Sequence, residues 1–291
     1  MTSQTSLDID VQQFSHPIPH TISTTRNLKK IELHSWTIEA RKNPICSSKE
    51  IDTATTRLGI PVPEMIFGNN MVRITHKNGW EIKFTALDAL DLVDKTDSKM
   101  LKVHYSEVLL FVEVYLPYHC RNGINVEKAS EDIKEIVKPF DWTYSTEYSG
   151  TLNGVLNRTD ESIPLVRLRR PDPILLYDEV VLYEDELADN GTALLSVKVR
   201  VMPARLLLLS RFYMRLDDVI FRIRDTRIFV EFSTNEVIRE YVEKEDIYED
   251  VKRKVPPGRD TGAFFRDPQW VSENLSVVKE RNESNRLEYA L

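Results

Sequence analysis

The sequence predicts an α+β domain that is mainly an antiparallel β-sheet meander with a few short helices. Four strand-like runs follow one another between about residues 174 and 232. The first two flank an Asn-Gly turn, and the last two flank Asp217-Asp218. They are "PILLYDEVVLYEDEL" (173–187), "LLSVKVRVM" (194–202), "LLLLSRFYMRL" (206–216) and "VIFRIRDTRIF" (219–229). Short turns join antiparallel neighbours, whereas parallel strands need long crossovers, so the meander predicts an antiparallel sheet.

Two further strand signals precede the meander. "IELHSWTIEA" (31–40) alternates Ile31 and Leu33, then Trp36 and Ile38. "MVRITHKNGWEIKF" (71–84) has alternating residues on both sides of an Asn-Gly turn, which predicts a hairpin.

Helical signals are fewer than strand signals. "SSKEIDTATTRLG" (47–59) has a Ser cap at its start and a Gly at its end. "TALDALDLVD" (85–94) begins with Thr85 and has Asp88 three residues on, a variant of the capping box. "SEDIKEIV" (130–137) is a third candidate helix. Helices in the minority place the chain in the α+β class.

Composition gives the domain boundaries. Residues 1–27 are rich in Ser, Thr, Gln and Pro and lack periodicity, which indicates a flexible tail. The folded body is expected over 30–256. Few apolar residues follow "VPPGRD" (255–260), so we expect residues 257–291 to form a loosely attached tail.

The charge and the cysteines exclude several classes of function. The net charge of −7 argues against general binding to nucleic acid or to an anionic membrane. The chain has only two cysteines and no CxxC, which is typical of free thiols in a reducing compartment. The start of the chain has no signal-peptide pattern, and no apolar run reaches the ~18 residues of a membrane span. We therefore expect a cytoplasmic protein, or one shared with the nucleus.

No catalytic or cofactor motif stands out, and we expect no cofactor and no metal. The nine glycines form neither GxGxxG nor a P-loop, and HExxH and GxSxG are missing. "DELADNG" (185–191) resembles a calcium loop, but Leu187 occupies a ligand position. The adjacent acidic residues 184–186 are best explained as a solvated strand end. Without a base and nucleophile pair, no reaction can be assigned.

The run 219–229 carries charges within a strand. On one side lie Ile223, Asp225 and Arg227, and on the other lie Arg222 and Arg224. The second side predicts a solvated face. The first side changes from apolar to charged at Asp225, which suits either a binding edge or an internal pair of Asp225 with Arg227. The pattern alone does not decide between these two.

Five segments in order resemble the TIPRL family, the TOR-signalling-pathway-regulator-like proteins and their yeast relatives. They are "PEMIFGNNMVRITH" (63–76), "TALDALDLV" (85–93), "IVKPFDWTYSTEYSGTL" (136–152), "VVLYEDELADNGTALLSVKVRVMP" (180–203) and "RFYMRLDDVIFRIRDTR" (211–227). Each motif is weak alone, but their shared order over roughly residues 34–245 is specific. The resemblance implies a single β-rich α+β domain with a cleft.

The resemblance also implies a non-enzymatic regulator that binds the catalytic subunits of type 2A protein phosphatases. It implies a connection to the alpha-four-type phosphatase-associated protein and to nutrient signalling through TOR. The phosphatase contacts of the family correspond here to Asp88, Ile163, Ile223 and Asp225. As structural alternatives, Asp88 serves only the helix start, Ile223 is a core residue and Asp225 pairs internally.

The chain departs from the family pattern at "HYSEVLLFVEVYLPYHCRNGINVEKASED" (104–132), which is longer and more apolar than the usual segment. Two rival functions remain open at this point. An enzyme would need Asp88 and Asp225 about 5–10 Å apart around a substrate position. A nucleic-acid binder would need a continuous basic face that includes Arg222, Arg224 and Arg227.

Overall fold

The structure is a computed structural model that describes residues 19–95, 103–104, 135–136, 140–169 and 171–288. In chain order the strands are β1 (His20–Thr24), β2 (Leu28–Leu33), β3 (Trp36–Arg41), β4 (Met65–Ile66), β5 (Met71–His76), β6 (Glu81–Thr85), β7 (Val103–His104), β8 (Glu135–Ile136), β9 (Thr151–Asn153), β10 (Asn157–Arg158), β11 (Leu176–Asp185), β12 (Gly191–Val201), β13 (Arg205–Leu216), β14 (Ile220–Glu231), β15 (Glu236–Ile247) and β16 (Val277–Arg286). The helices are α1 (Ser48–Leu58), α2 (Ala86–Leu90), α3 (Leu165–Leu168), α4 (Tyr248–Arg253), α5 (Thr261–Phe265) and α6 (Pro268–Asn274).

Two large antiparallel sheets make up one domain, which confirms the predicted α+β class. The six-stranded sheet has the order β1-β2-β3-β5-β6-β9. The eight-stranded sheet has the order β10-β16-β15-β14-β13-β12-β11-β4, and β7 pairs separately with β8. Strands β11 to β16 follow one another across the larger sheet, so the predicted meander continues by two strands beyond residue 232.

The main core lies between the two sheets. The alternating apolar side chains of β2, β3, β5 and β6 form one side of it, and those of β11 to β14 form the other. Ile228 and Val230 of β14 belong to this core. Phe221 and Ile223, on the opposite side of the same strand, belong to a separate cluster. We call the side of the eight-stranded sheet that carries Phe221 and Ile223 the outer face, and the side toward the six-stranded sheet the inner face.

Turn chemistry explains two of the hairpins. Asn78-Gly79 joins β5 to β6, and Gly79 has φ +92°, which glycine adopts readily. The run 31–40 proves to be two strands rather than one. His34, with φ +53°, turns the chain between β2 and β3, which accounts for the change of phase between Leu33 and Trp36.

The helices α1 and α2 begin where their caps predict. The Glu50 carboxylate accepts a hydrogen bond from the N–H of Ser47 at 2.8 Å, and Gly59 ends α1 with φ +69°. The Thr85 hydroxyl accepts a hydrogen bond from the N–H of Asp88 at 3.3 Å at the start of α2. The candidate helix over 130–137 lies outside the described residues except for 135–136, which form β8. The long segment 104–132 also lies outside them, apart from the backbone of residue 104.

The ends of the chain differ from the expected boundaries. Residues 20–24 form β1 on β2, and residues 277–286 form β16 on β15. The helices α4, α5 and α6 cover part of the outer face, where Phe265 and Val271 are buried against Phe221 and Ile223. The expectation of a loosely attached segment from residue 257 therefore does not match the structure. Few apolar residues suffice there, because the large ones pack directly on the outer face of the sheet.

Three charged residues that the sequence predicted to be solvated are partly or fully buried. Arg222 lies on the inner face, where its Nη1 donates to Ser145 Oγ at 2.8 Å, and Arg224 is half-buried on the same face. The solvated-face interpretation of these two arginines is therefore corrected, and Ser145 supplies a polar partner for Arg222. Asp185, expected at a solvated strand end, is buried and accepts hydrogen bonds from the N–H groups of Leu187 at 2.7 Å and Glu64 at 3.0 Å.

Candidate functional site

Asp88 lies in the first turn of α2, at the edge of the six-stranded sheet. Its carboxylate accepts a hydrogen bond from the Thr151 hydroxyl at 2.8 Å. Lys83 Nζ lies 3.5 Å away and Arg57 Nη2 lies 3.6 Å away. Partial burial opposes ionisation, but the hydrogen bonds from Thr151 and Thr85 and the charge of Lys83 outweigh it. The pKa of Asp88 is therefore held below its usual value.

The surroundings of Asp88 suit recognition by a positively charged group. About a quarter of its side chain is exposed, so the ionised carboxylate borders solvent. Lys83 and Arg57 are each more exposed than Asp88. A carboxylate has about four lone-pair sites, so it can accept from a partner's donor as well as from Thr151.

Asp225 lies on the outer face of the eight-stranded sheet and is buried. Arg211, directly opposite on β13, donates to both of its oxygens, from Nε at 2.7 Å and from Nη2 at 2.7 Å. Arg227 Nη2 lies farther from Asp225, at 3.7 Å. Asp225 therefore forms its strong, bidentate ion pair with Arg211, and its contact with Arg227 is the weaker of the two.

Arg227 connects Asp225 to Ile163. Its Nη1 lies 3.8 Å from Glu240 Oε2, and the other oxygen of Glu240 accepts a hydrogen bond from the N–H of Ile163 at 2.7 Å. We call this connected set, Arg211, Asp225, Arg227, Glu240 and the Ile163 amide, the Asp225 network. Within it the Arg227 side chain is 40% exposed, whereas that of Asp225 is only 3% exposed. Arg227 is therefore the member that a partner can reach.

Ile163 and Ile223 are both buried. The Ile163 side chain packs with Phe229 and Ile238 beneath the segment that leads into α3. Ile223 is fully covered by the C-terminal helices and packs with Phe265 and Val271. Neither apolar side chain offers surface to a partner in this arrangement, so an accessible apolar contact at Ile223 is not what the structure presents.

One stretch of chain joins the two parts of the site. Residues 151–163, which we call the edge segment, begin at β9 beside Asp88 and pass through β10, which pairs with β16. The segment ends at Ile163 in the Asp225 network. The structure therefore brings Ile163, Ile223 and Asp225 to the outer face of the eight-stranded sheet. It leaves Asp88 at the other end of the edge segment.

Asp88 and Asp225 have separate surroundings. Among the residues that the structure describes, they share no hydrogen-bonding or ion-pair partner, and each has its own basic neighbours. Within the described part of the chain, no group of three or more His, Cys, Asp and Glu residues is arranged to hold a metal ion. Among those same residues, no helix is both long and apolar enough to cross a membrane.

The sequence reasoning missed most partners of the four candidate residues. Arg211 had a partial signal, because the predicted turn includes Asp218 and residues at equal distance from Asp218 oppose each other in the hairpin, as Arg211 and Asp225 do. The sequence carries no such signal for Thr151, Arg57 and Glu240, because their contacts join distant parts of the chain.

Comparison with known proteins gives a consistent result. The family model described as the TIP41-like family matches residues 65–252. The chain is 41% identical over 278 residues to the "Type 2A phosphatase activator TIP41" of Saccharomyces cerevisiae, covering 92% of this chain and 77% of that protein. It is 35% identical to a "TIP41-like protein" of Dictyostelium discoideum, covering 92% and 97%. It is 36% identical to the human "TIP41-like protein", covering 83% and 84%.

Proposed function

Because this chain belongs to the TIP41-like family, we propose that it is a non-enzymatic regulator that binds the catalytic subunits of type 2A protein phosphatases. The observation that carries the proposal is the name of its relatives from Saccharomyces cerevisiae and Schizosaccharomyces pombe, each called a type 2A phosphatase activator. The first of these aligns over nearly the whole of this chain, with 41% identity. The proposal extends the role in that name to this chain and adds direct binding.

In this proposal Asp88 is the direct contact. It has an ionised carboxylate at the surface, and its hydrogen bond from Thr151 keeps it oriented. A basic side chain of the phosphatase would donate to the free lone pairs of this carboxylate. Removal of one partner of such a desolvated charge pair costs about 2–5 kcal/mol of binding free energy.

The Asp225 network supplies the second contact. Asp225 is too buried to meet a partner, so its role is to orient Arg227, whose side chain is 40% exposed. Ile163 acts through its amide, which fixes Glu240 on the other side of Arg227. Ile223 contributes by packing against the C-terminal helices beside the Asp225 network. Of the four residues expected from the family, Asp88 thus contacts the phosphatase directly, and the other three support that surface.

The proposal includes the signalling context of the family. A phosphatase regulator of this type takes part in TOR and nutrient signalling, works with the alpha-four-type phosphatase-associated protein, and acts in the cytoplasm and the nucleus. The absence of a shared site for Asp88 and Asp225 gives no support to the carboxylate-enzyme alternative.

Affinity purification tests the proposal. The full chain with an affinity tag is expressed in a eukaryotic cell, and the proteins recovered with it are identified by mass spectrometry. We expect a type 2A catalytic subunit to be enriched well above a tag-only control. Recovery of no type 2A catalytic subunit above that control would overturn the proposal.

A further inference from the structure

Residues 255–274, which we call the lid, leave the eight-stranded sheet and return to it at the same place. They carry α5 and α6 between β15 and β16. At the base of the lid, Asp246 Oδ2 accepts hydrogen bonds from the N–H of Ser276 at 2.9 Å and from Lys254 Nζ at 3.1 Å. Lys254 also donates to the carbonyl oxygen of Asn274. The two ends of the lid are therefore tied together at the sheet, independently of how its helices pack.

The lid covers the outer face with few buried side chains. Its buried apolar residues are Phe265 and Val271, which belong to the same cluster as Ile223. Within the described chain, no residue of the lid belongs to the main core between the sheets. Helix α5 has five residues and α6 has seven, whereas isolated helices shorter than about 12–15 residues are marginal in water. The lid therefore depends on this small cluster for its place on the sheet.

Two hydrogen bonds from the sheet reach the backbone of the lid. Tyr213 Oη donates to the carbonyl oxygen of Phe265, and Lys244 Nζ donates to that of Ser272. Water can replace both donors when the lid moves away, so the net stabilisation from each bond is modest. Elements that are held by few buried apolar contacts open locally, at a smaller free-energy cost than global unfolding.

We infer that the lid is a regulatory device that opens as one unit while both sheets and the main core stay folded. Its opening uncovers Ile223, which is fully buried in the closed state. Gln269 of α6 accepts a hydrogen bond from Arg211 Nη1 at 3.3 Å, so opening also removes the cover beside the Arg211–Asp225 pair. The lid thereby controls access to the apolar and charged parts of the outer face.

Thiol labelling of the full chain tests the inference. In a background with Cys46→Ser and Cys120→Ser, the variants Ile223→Cys and Ile228→Cys react with an aromatic disulfide reagent at increasing urea concentrations. Ile228 is the matched control, because it is equally buried on the same strand but belongs to the main core. We expect Ile223→Cys to react at least about 100-fold faster in water. Its rate should also depend less on urea, because local opening exposes less surface than global unfolding.

Two further substitutions separate lid opening from global unfolding. Phe265→Ala removes packing that the open state has already lost, so it should speed the labelling of Ile223→Cys at least about tenfold. Ile74→Val weakens the main core, which stays folded in the open state. It should therefore speed the labelling of Ile228→Cys and leave that of Ile223→Cys unchanged.

Native-state hydrogen exchange of the unmodified chain provides a check without cysteine substitutions. The backbone N–H groups of α5 and α6 should exchange together, and faster than those of β13. Equal labelling rates with the same urea dependence at both thiols would overturn the inference. So would an equal effect of Ile74→Val on both thiols, or exchange of α5 and α6 only together with β13. These experiments use the chain alone, so their outcome does not depend on the proposed function.

Discussion

Arg211 and Asp225 face each other across neighbouring strands and form a buried pair with two hydrogen bonds of 2.7 Å. The pair lies next to Arg227, the exposed arginine on the same face. An internal pair and a binding surface are therefore not alternatives at this position. The buried pair lies beside the more exposed Arg227, and in the proposed function Asp225 affects a partner through Arg227.

The first prediction concerns the stability of this pair. Asp225→Ala leaves the Arg211 charge buried without its main partner, so we expect the free energy of unfolding to fall by about 3–5 kcal/mol. Urea unfolding measures the loss. The double variant Arg211→Leu/Asp225→Leu should recover most of it, because no uncompensated charge remains. A single variant as stable as the unmodified chain would show that the pair is not desolvated as the structure indicates.

The second prediction concerns the pKa of Asp88. The hydrogen bond from Thr151 favours the ionised carboxylate, so Thr151→Val should raise the pKa of Asp88 toward its usual value. Carboxyl carbon chemical shifts, followed by NMR across the acid range, give the pKa in both proteins. An unchanged pKa would mean that Lys83 and Thr85 alone lower it.

The sign of the linked stability effect follows from the lowered pKa. The folded chain holds the Asp88 proton more weakly than the unfolded chain, whose Asp pKa is about 3.9. The stabilisation from Asp88 is therefore fully present above that value and is lost as the pH falls through the lower folded pKa. Thr151→Val should make the chain less stable near neutral pH, with a difference that shrinks in acid.

The third prediction concerns the entry to the edge segment. Gly150 has φ +93°, and a Cβ there would lie 2.8 Å from a ring atom of Phe84 and 2.9 Å from Ile82. Gly150→Ala should therefore destabilise the fold by about 1–3 kcal/mol through strain and crowding. Gly258→Ala is the control, since Gly258 has φ +75° but no neighbouring atom within 4 Å of the added Cβ. Chemical denaturation should show the larger loss at Gly150. Equal losses would mean that backbone strain alone matters.

The fourth prediction concerns the C-terminal helices. Phe265 is buried, and its ring centre lies 4.8 Å from that of Phe221 and 5.2 Å from that of Tyr248. Phe265→Ala should reduce the free energy of unfolding by about 3–5 kcal/mol. Phe264→Ala, at the neighbouring and less buried position, should cost less. A loss near zero at Phe265 would restore the view that residues beyond 257 are loosely attached.

Hairpins and caps were predictable because their causes are local. Asn78-Gly79, the Ser47 cap and the turn at Asp217–Asp218 each determine the chain direction from a few adjacent residues. The sequence also predicted correctly which side chains of β14 lie on the same face. What covers each face was not predictable from that alternation. Ile223 is buried by a segment that starts 25 residues later, and Arg222 is partnered by Ser145.

The four candidate positions stay a prediction, and their surroundings could not be predicted from the sequence. The family resemblance indicated Asp88, Ile163, Ile223 and Asp225, but it carries no information on burial. The sequence pattern left open whether Asp225 pairs internally with Arg227 or lies at a binding edge, and it did not indicate that Arg227 is the most exposed member of the Asp225 network. The contact of Glu240 with the Ile163 amide joins residues 77 apart in the chain, and no local pattern signals it.

Direct binding of the Asp88→Arg variant to a purified type 2A catalytic subunit tests the central claim most directly. The variant replaces the exposed carboxylate with a charge of opposite sign, next to Lys83 and Arg57. Asp91→Arg is the matched control, because Asp91 ends the same helix and its side chain is 59% exposed. We predict that Asp88→Arg weakens binding by a factor of at least about 30, corresponding to about 2 kcal/mol or more, while Asp91→Arg binds like the unmodified chain. Equal affinity of Asp88→Arg and the unmodified chain would contradict the account.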